Sequence, residues 1–280
     1  MDTTLQKITK PKIIQSFWTA PMRPEQIYYN LVQAFASAKS IKKQGYGLVM
    51  YTDCVGAKLL DGFPYDKIEI INMEDVNTAM FAAIKYFALQ KEPVGVVHLD
   101  FDIIINKPCI KTEGCDIIIE RKVDLILGGK YKPAHEFFRE NNELEEIGPD
   151  VLLTPPFIVG TVGFNSESVR EKFLKMYFKA VDLFRKKKTD AIIDLVLEQQ
   201  YLPYISRNSN SSVYCVAPLA ERKALFPEQC TYYSDEFSGY THFHSRSKYS
   251  ETAQREFISL LGNEDIRVIN KNYMKYYYGR

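Results

Sequence analysis

Apolar positions in this chain repeat with two periods. Residues 12–18, Lys-Ile-Ile-Gln-Ser-Phe-Trp, are a short apolar run broken by Pro21 and Pro24, which predicts a buried strand and then a loop. Over 25–43, Ile27, Leu31, Ala34, Phe35, Ala38 and Ile41 recur at helical spacing, and Gly45 follows as a stop signal. Strands are expected over 46–51 and 67–71, and a helix over 76–90. The next apolar run, 94–105, is interrupted by Asp100 and Asp102. Beyond it, 123–129 reads as a strand and turn, 140–149 as an acidic surface loop and 155–165 as a strand. Helices are expected over 167–187 and 190–202. Such alternation predicts an α/β fold with a mostly parallel central sheet flanked by helices. Ligands of such sheets bind beyond the carboxyl ends of the strands, where Thr19, Asp53 and Asp100 fall.

The aspartate pair is the first sign of chemistry. Alternate residues of a strand share a face, so Asp100 and Asp102 are expected to point together out of the end of a buried sheet. Paired carboxylates in an apolar setting repel each other and lose hydration unless a cation joins them. Mn²⁺ or Mg²⁺ suits: both prefer oxygen ligands and bridge carboxylates to diphosphates. The spacing alone describes a solvated strand end equally well. The apolar residues on both sides favour the buried reading.

With 280 residues, 46% of them hydrophobic, the chain can bury a large core. Its 36 basic and 35 acidic residues leave a net charge of +1, so no overall field favours nucleic acid. The five cysteines form no Cys-x-x-Cys pair, which argues against a disulfide framework or structural zinc. With no apolar leader at residues 1–7 and no spanning run of about 18 apolar residues, a cytoplasmic location is expected. The aromatic and basic cluster at 273–280 suits peripheral contact with a membrane, or a tail folded back on the domain. No Gly-x-Ser-x-Gly elbow, P-loop or Gly-x-Gly-x-x-Gly turn supports hydrolase, P-loop or dehydrogenase chemistry.

A second polar cluster lies at 241–249, Thr-His-Phe-His-Ser-Arg-Ser-Lys-Tyr. A neutral imidazole, from His242 or His244, can complete an Asp-Asp metal site, and Lys248 can neutralise phosphate charge. Taken alone, the segment equally describes an exposed polar loop.

Asp100-x-Asp102 followed far downstream by His242-Phe243 and Lys248 resembles the GT-A glycosyltransferases of the glycogenin and bacterial lipopolysaccharide galactosyltransferase type. Their late motif runs His-Phe-x-Gly-x-x-Lys-Pro-Trp; here Ser245 replaces the Gly and Tyr249 the Pro. The opening Pro11-Lys12-Ile13-Ile14 is similar to another GT-A group, the DXD sugar transferases. Lys85 stands nearest to the Arg which that group carries on the helix before its DXD strand. Residues 197–202 are similar to the Asp-Gln-Asp-x-Leu segment of the first group, and 157–165 to its Asn-x-Gly-Val strand.

The resemblance implies a GT-A type, Rossmann-like domain over 1–280, with 206–280 closing over the nucleotide site. It implies a metal-dependent hexosyltransferase that uses a nucleotide-diphospho-sugar, with UDP the expected nucleotide, and transfers with retention to a hydroxyl of a glycan, lipid-linked or protein acceptor. Asp100, Asp102 and His242 would hold Mn²⁺ or Mg²⁺. Thr19, Ala20, Tyr51, Asp53, Lys85, Asp100, Gly160, Asn165 and Lys248 would bind the donor. Glu198 and Gln199 would contact the transferred sugar, with Asp194 one helical turn before as a further candidate. The alternatives are a sugar nucleotidyltransferase, which would need a glycine-rich loop after the first strand, and a non-catalytic glycan-binding or scaffold protein that keeps the fold.

Overall fold

The computed structural model describes residues 10–123, 136, 138, 144, 146–185, 191–225 and 230–279. Expected structure at 124–129, half of the acidic loop at 140–149, and positions 186–187 and 190 of the two expected helices lie outside them.

The larger sheet has seven strands. In spatial order they are β3 (Lys67–Ile70), β2 (Leu48–Thr52), β1 (Ile13–Phe17), β4 (Val97–Leu99), β7 (Phe157–Phe164), β6 (Ile117–Lys122) and β8 (Val213–Cys215). Of these only β7 runs against its neighbours, so the α/β, mostly parallel expectation holds. β1 lies between two parallel partners and is buried along its whole length, which is why its sequence reads as one apolar run.

Helix α1 (Pro24–Lys43) begins with its proline at the first helical position and is followed by Gly45 in the left-handed region. The short α2 (Cys54–Leu59) was not expected; Asp53 caps it by accepting the Gly56 N–H at 2.7 Å. The helix expected over 76–90 is α3, Ala83–Lys91, and starts one to two turns late. Residues 72–82 form turns instead, and the buried Asp194 carboxylate accepts the Ala82 N–H at 2.7 Å at the new N-terminus. This long-range contact fixes a boundary that local periodicity does not carry.

A second, antiparallel sheet orders β5 (Ile103–Ile105), β11 (Tyr240–His242), β10 (Cys230–Asp235) and β9 (Glu221–Leu225). The apolar run at 94–105 is therefore not one strand. The chain leaves the first sheet at Leu99, turns through Asp100-Phe101-Asp102, and enters the second at Ile103. The two aspartates meet through this turn, not through strand alternation as expected. The polar face of α1 bonds backbone groups of β5: Ser37 Oγ donates to Ile103 O at 2.6 Å and Ser40 Oγ accepts from Ile105 N at 3.2 Å.

The helix expected to end at 202 continues to Asn208. Its parts are Ala191–Val196, a π turn at Leu197–Tyr201 and Leu202–Asn208. Helices Glu251–Ser259 and Asn263–Tyr278 follow the second sheet. The latter packs back on the domain, with Tyr28 donating to Asn270 at 2.8 Å and the Tyr28 and Tyr273 rings meeting edge to face at 5.2 Å. No helix among the described residues is long and apolar enough to cross a membrane.

Candidate active site

The turn between the two sheets is pinned from both sides. Gly160 O accepts the Asp100 N–H at 2.7 Å, and Asp102 O accepts the Phe243 N–H at 3.1 Å. His242, the last residue of β11, pairs with Ile103 and so sits directly opposite the turn. One ligand atom each from Asp100, Asp102 and His242 come within 4.8 Å of one another. The 241–249 segment is thus no exposed loop: it combines the end of β11 with a 3₁₀ turn, Ser245–Tyr249, and His242 is buried.

Two lysines balance the acids. Lys85, on α3, places Nζ 3.1 Å from Asp100 Oδ1 and 2.8 Å from Glu198 Oε1, and donates to Val159 O at 3.0 Å. Lys248 Nζ lies 3.0 Å from Asp102 Oδ2, and its carbonyl accepts the side-chain amides of Gln33 and Gln254. His242 uses Nδ1 toward Glu120 Oε2 at 2.7 Å and turns Nε2 toward Asp102 Oδ1 at 3.4 Å.

Burial pushes the Asp100 carboxyl up to about 6; Lys85 opposes that rise, and Asp102 and Glu198 add to it. For Asp102 burial acts in the same direction, but Lys248 and His242 outweigh it and hold the group well below the usual carboxylate range. Burial would lower the His242 imidazole, yet Glu120 and Asp102 raise it to about 10. Lys85 is raised despite its burial, by Asp100 and Glu198.

The donor set fits a hard divalent ion. It offers two carboxylates and one imidazole and no thiolate. Asp102 Oδ1 is buried without a hydrogen bond and faces the His242 ring only at 3.4 Å, so it keeps a free lone pair for a closer cation.

This cluster opens on a cavity of about 490 Å³, large enough for a small-molecule ligand. Eight of the expected site residues line it: Lys85, Asp100, Asp102, Gly160, Glu198, Gln199, His242 and Lys248. They come from α3, the inter-sheet turn, β7, the π turn, β11 and the 3₁₀ turn. A π turn shifts the register of a helix and is common where side chains must be re-aimed; here it carries both Glu198 and Gln199.

Six expected residues are not brought to the lining. Thr19 donates through N and Oγ1 to Asp53 Oδ2, at 3.0 and 2.6 Å, so this pair ties the loop after β1 to the cap of α2. Ala20 is exposed in that loop, between the lining residues Trp18 and Pro21. Tyr51 is buried and donates to Glu92 at 2.7 Å. Asn165 follows β7 at the end of the sheet away from the cavity and donates to Cys115 O at 2.9 Å. Asp194 is fully buried and accepts from Tyr177 at 2.5 Å and from Ala82. Of the two candidate imidazoles, His242 joins the acid pair, while His244 stacks on Tyr233 with ring centroids 4.9 Å apart.

Sequence reading did not single out Glu120, Ser16 or Tyr233. Ser16 and Tyr233 line the cavity, and Glu120 binds His242 from behind. For Glu120 a signal existed: Ile117-Ile118-Ile119-Glu120 is an apolar run closed by an acid, as at Leu99-Asp100.

No family model and no curated protein matches the chain. Among solved structures, mouse xyloside xylosyltransferase 1 in its apo form is 13% identical over 74% of this chain and 85% of that one, with a TM-score of 0.40. The galactosyltransferase LgtC, in complex with donor and acceptor sugar analogues, is 14% identical over 92% of this chain and 99% of its own, with a TM-score of 0.44. The apo glycosyltransferase GlyE of Streptococcus pneumoniae is 11% identical over 95% of this chain, with a TM-score of 0.45, and the chain spans 64% of GlyE's length. All three are glycosyltransferases, the class that the sequence motifs resemble. At these identities and TM-scores the likeness decides neither the arrangement of this chain nor the role of any residue.

Proposed function

We propose that this protein is a metal-dependent glycosyltransferase of GT-A type, moving a hexose from a nucleotide-diphospho-sugar, with UDP the favoured nucleotide, to a hydroxyl of a glycan, lipid-linked or protein acceptor. The observation that supports this reading best is the meeting of Asp100, Asp102 and His242 in one cavity with Lys85 and Lys248. A cavity whose acids and cations are paired to this extent suits a ligand that carries both a divalent ion and a diphosphate.

Asp100, Asp102 and His242 would hold the ion, Mn²⁺ or Mg²⁺, which when bound neutralises diphosphate charge as the sugar–phosphate bond breaks. Lys248, 3.0 Å from Asp102, is the cation placed to turn toward the departing diphosphate, where a preoriented charge stabilises the leaving group. Trp18, Pro21 and Met22, in the loop that carries Thr19 and Ala20, would receive the nucleoside. Lys85 fixes Asp100 and Glu198 in place and thereby shapes the sugar end of the cavity. Gln199 would support the oxocarbenium-like state on the face away from the leaving group. With retention the departing phosphate accepts the acceptor's proton, so no side chain need act as a strong base. Residues 206–280, which supply β11 and Lys248, would close over the nucleotide.

A donor screen tests this directly: release of UDP, GDP or CMP from their sugar conjugates is followed with Mn²⁺, with and without chelator. Turnover that chelator abolishes, and that Asp102→Asn nearly abolishes while the protein stays folded, is the expected result. Metal-dependent UDP binding without turnover would favour a scaffold, and unimpaired rates in Asp102→Asn would remove the proposed site.

A further inference from the structure

Glu120 does not line the cavity, yet its carboxylate is fully buried and spends Oε2 on His242 Nδ1 at 2.7 Å. The same oxygen accepts from Tyr240 at 3.1 Å, and the Tyr240 hydroxyl is bonded in turn to Thr161 Oγ1 at 2.8 Å. Arg121 Nε lies 3.8 Å from the other oxygen. A buried carboxylate is costly to maintain, and His242 and Tyr240 of β11, with Arg121 beside it on β6, surround this one.

The path between Glu120 and His242 is cleared deliberately. The β6–β7 pairing is regular up to Ile119↔Val162 and resumes at Arg121↔Ile158, so β7 bulges opposite Glu120. Bulges of this kind re-aim side chains next to functional sites. Gly160 lies in the bulge. A Cβ there would sit 2.6 Å from Glu120 Oε2 and 2.6 Å from His242 Cε1. The bulge carbonyls also serve the site, since Val159 O accepts from Lys85 and Gly160 O from the Asp100 N–H.

We propose that Glu120 is a positioning residue for metal binding: it holds Nδ1–H of His242, so that Nε2 is presented as the ligand atom beside Asp100 and Asp102. A ligating histidine that donates its other N–H to a carboxylate has its ring orientation fixed and its basicity raised. This inference rests on the reading of Asp100, Asp102 and His242 as a metal site. The competing account is a buried ion pair that only welds the two sheets together.

Mn²⁺ binding to the 280-residue chain, followed by the EPR signal of the free ion, separates these accounts. Glu120→Gln keeps the shape and loses the charge; it is expected to fold and to bind Mn²⁺ about 10- to 100-fold more weakly. In a His242→Ala background, which retains Asp100 and Asp102, adding Glu120→Gln should change Mn²⁺ affinity less than twofold. A welding role would weaken binding in both backgrounds alike, and that result overturns the proposal, as does a Glu120→Gln protein that binds within twofold of wild type. If Glu120→Gln does not fold, Gly160→Ala replaces it, because its methyl group separates Glu120 from His242 while leaving both in the sequence; a loss of tenfold or more is expected, and binding within twofold of wild type refutes the inference. Asp102→Asn is the control. Should it bind Mn²⁺ as wild type does, the metal site itself has been misread and the positioning role falls with it.

Discussion

Lys85 Nζ lies 2.8 Å from Glu198 Oε1, and the two side chains are 6% and 4% exposed. One comes from α3 and the other from the π turn, so this bond closes the wall of the cavity between two elements far apart in sequence. Buried pairs of this kind gain little over apolar packing, but losing one partner leaves the other charge stranded.

Lys85→Met is therefore expected to cost about 3–5 kcal/mol in denaturant unfolding. The double change Lys85→Met with Glu198→Leu should recover most of that loss, because Asp100 retains 32% exposure and can stay hydrated. Sugar transfer should stay low in both. A single variant as stable as wild type would show that the pair is not the strut described.

Asp194 gives the fold a pH signature. Its burial, and then Glu198 one turn on, push it up to about 7, above the carboxylate value of roughly 3.9 expected in the unfolded chain. Asp194 thus holds its proton in the folded protein where the unfolded chain has lost it, between about pH 4 and 7, and its contribution to stability falls as pH rises through that window. Thermal midpoints should drop from pH 5 to pH 8 in wild type, with a shallower drop in Asp194→Asn, which keeps an acceptor for Tyr177 or Ala82. Parallel profiles for the two proteins would locate the pH dependence elsewhere.

Metal binding should also depend on pH. With its pKa raised to about 10 by Glu120 and Asp102, the metal-free His242 carries a proton that must leave before Nε2 can ligate. Mn²⁺ affinity should rise between pH 6 and pH 8, and the calorimetric enthalpy should vary with the ionisation enthalpy of the buffer. In His242→Ala that buffer dependence should largely disappear at pH 8, where Asp100, pushed up to about 6, is already ionised.

Part of this site is written in the sequence. Asp100 and Asp102 stand out because they interrupt an apolar run, and His242 and Lys248 because they fall in a polar cluster whose spacing matches a known chemistry. What brings the two acids together is not written there. Strand alternation offers a sufficient reason, and the actual cause, a change of sheet at Phe101, depends on pairing between Ile103 and His242 across the length of the chain. Glu120 escapes notice for a similar reason, since its partner lies 122 residues away. The π turn at Leu197–Tyr201 is written in residues, Leu-Glu-Gln-Gln-Tyr, that suit an ordinary α-helix equally well, so nothing local announces the shift of register. Apart from β5, the strands of the second sheet are rich in polar residues, as in Cys-Thr-Tyr-Tyr-Ser-Asp of β10, and carry too weak a period to be read alone.

Lys248 offers the sharpest test of how charge is shared in the cavity, because its removal should move two measurements in opposite directions. In the ligand-free protein its ammonium sits 3.0 Å from Asp102 Oδ2 and occupies part of the negative field that a divalent ion would use. Two unit charges about 4 Å apart interact by about 4 kcal/mol at an effective dielectric near 20, so relief of this competition is large enough to measure. Lys248→Met should bind Mn²⁺ severalfold more tightly in the absence of nucleotide. The same variant should release UDP from a UDP-sugar at least tenfold more slowly, because the departing diphosphate has lost a cation. If Mn²⁺ affinity and turnover instead fall together, Lys248 supports the metal site rather than competing for it, and the assignment to the leaving group must be withdrawn.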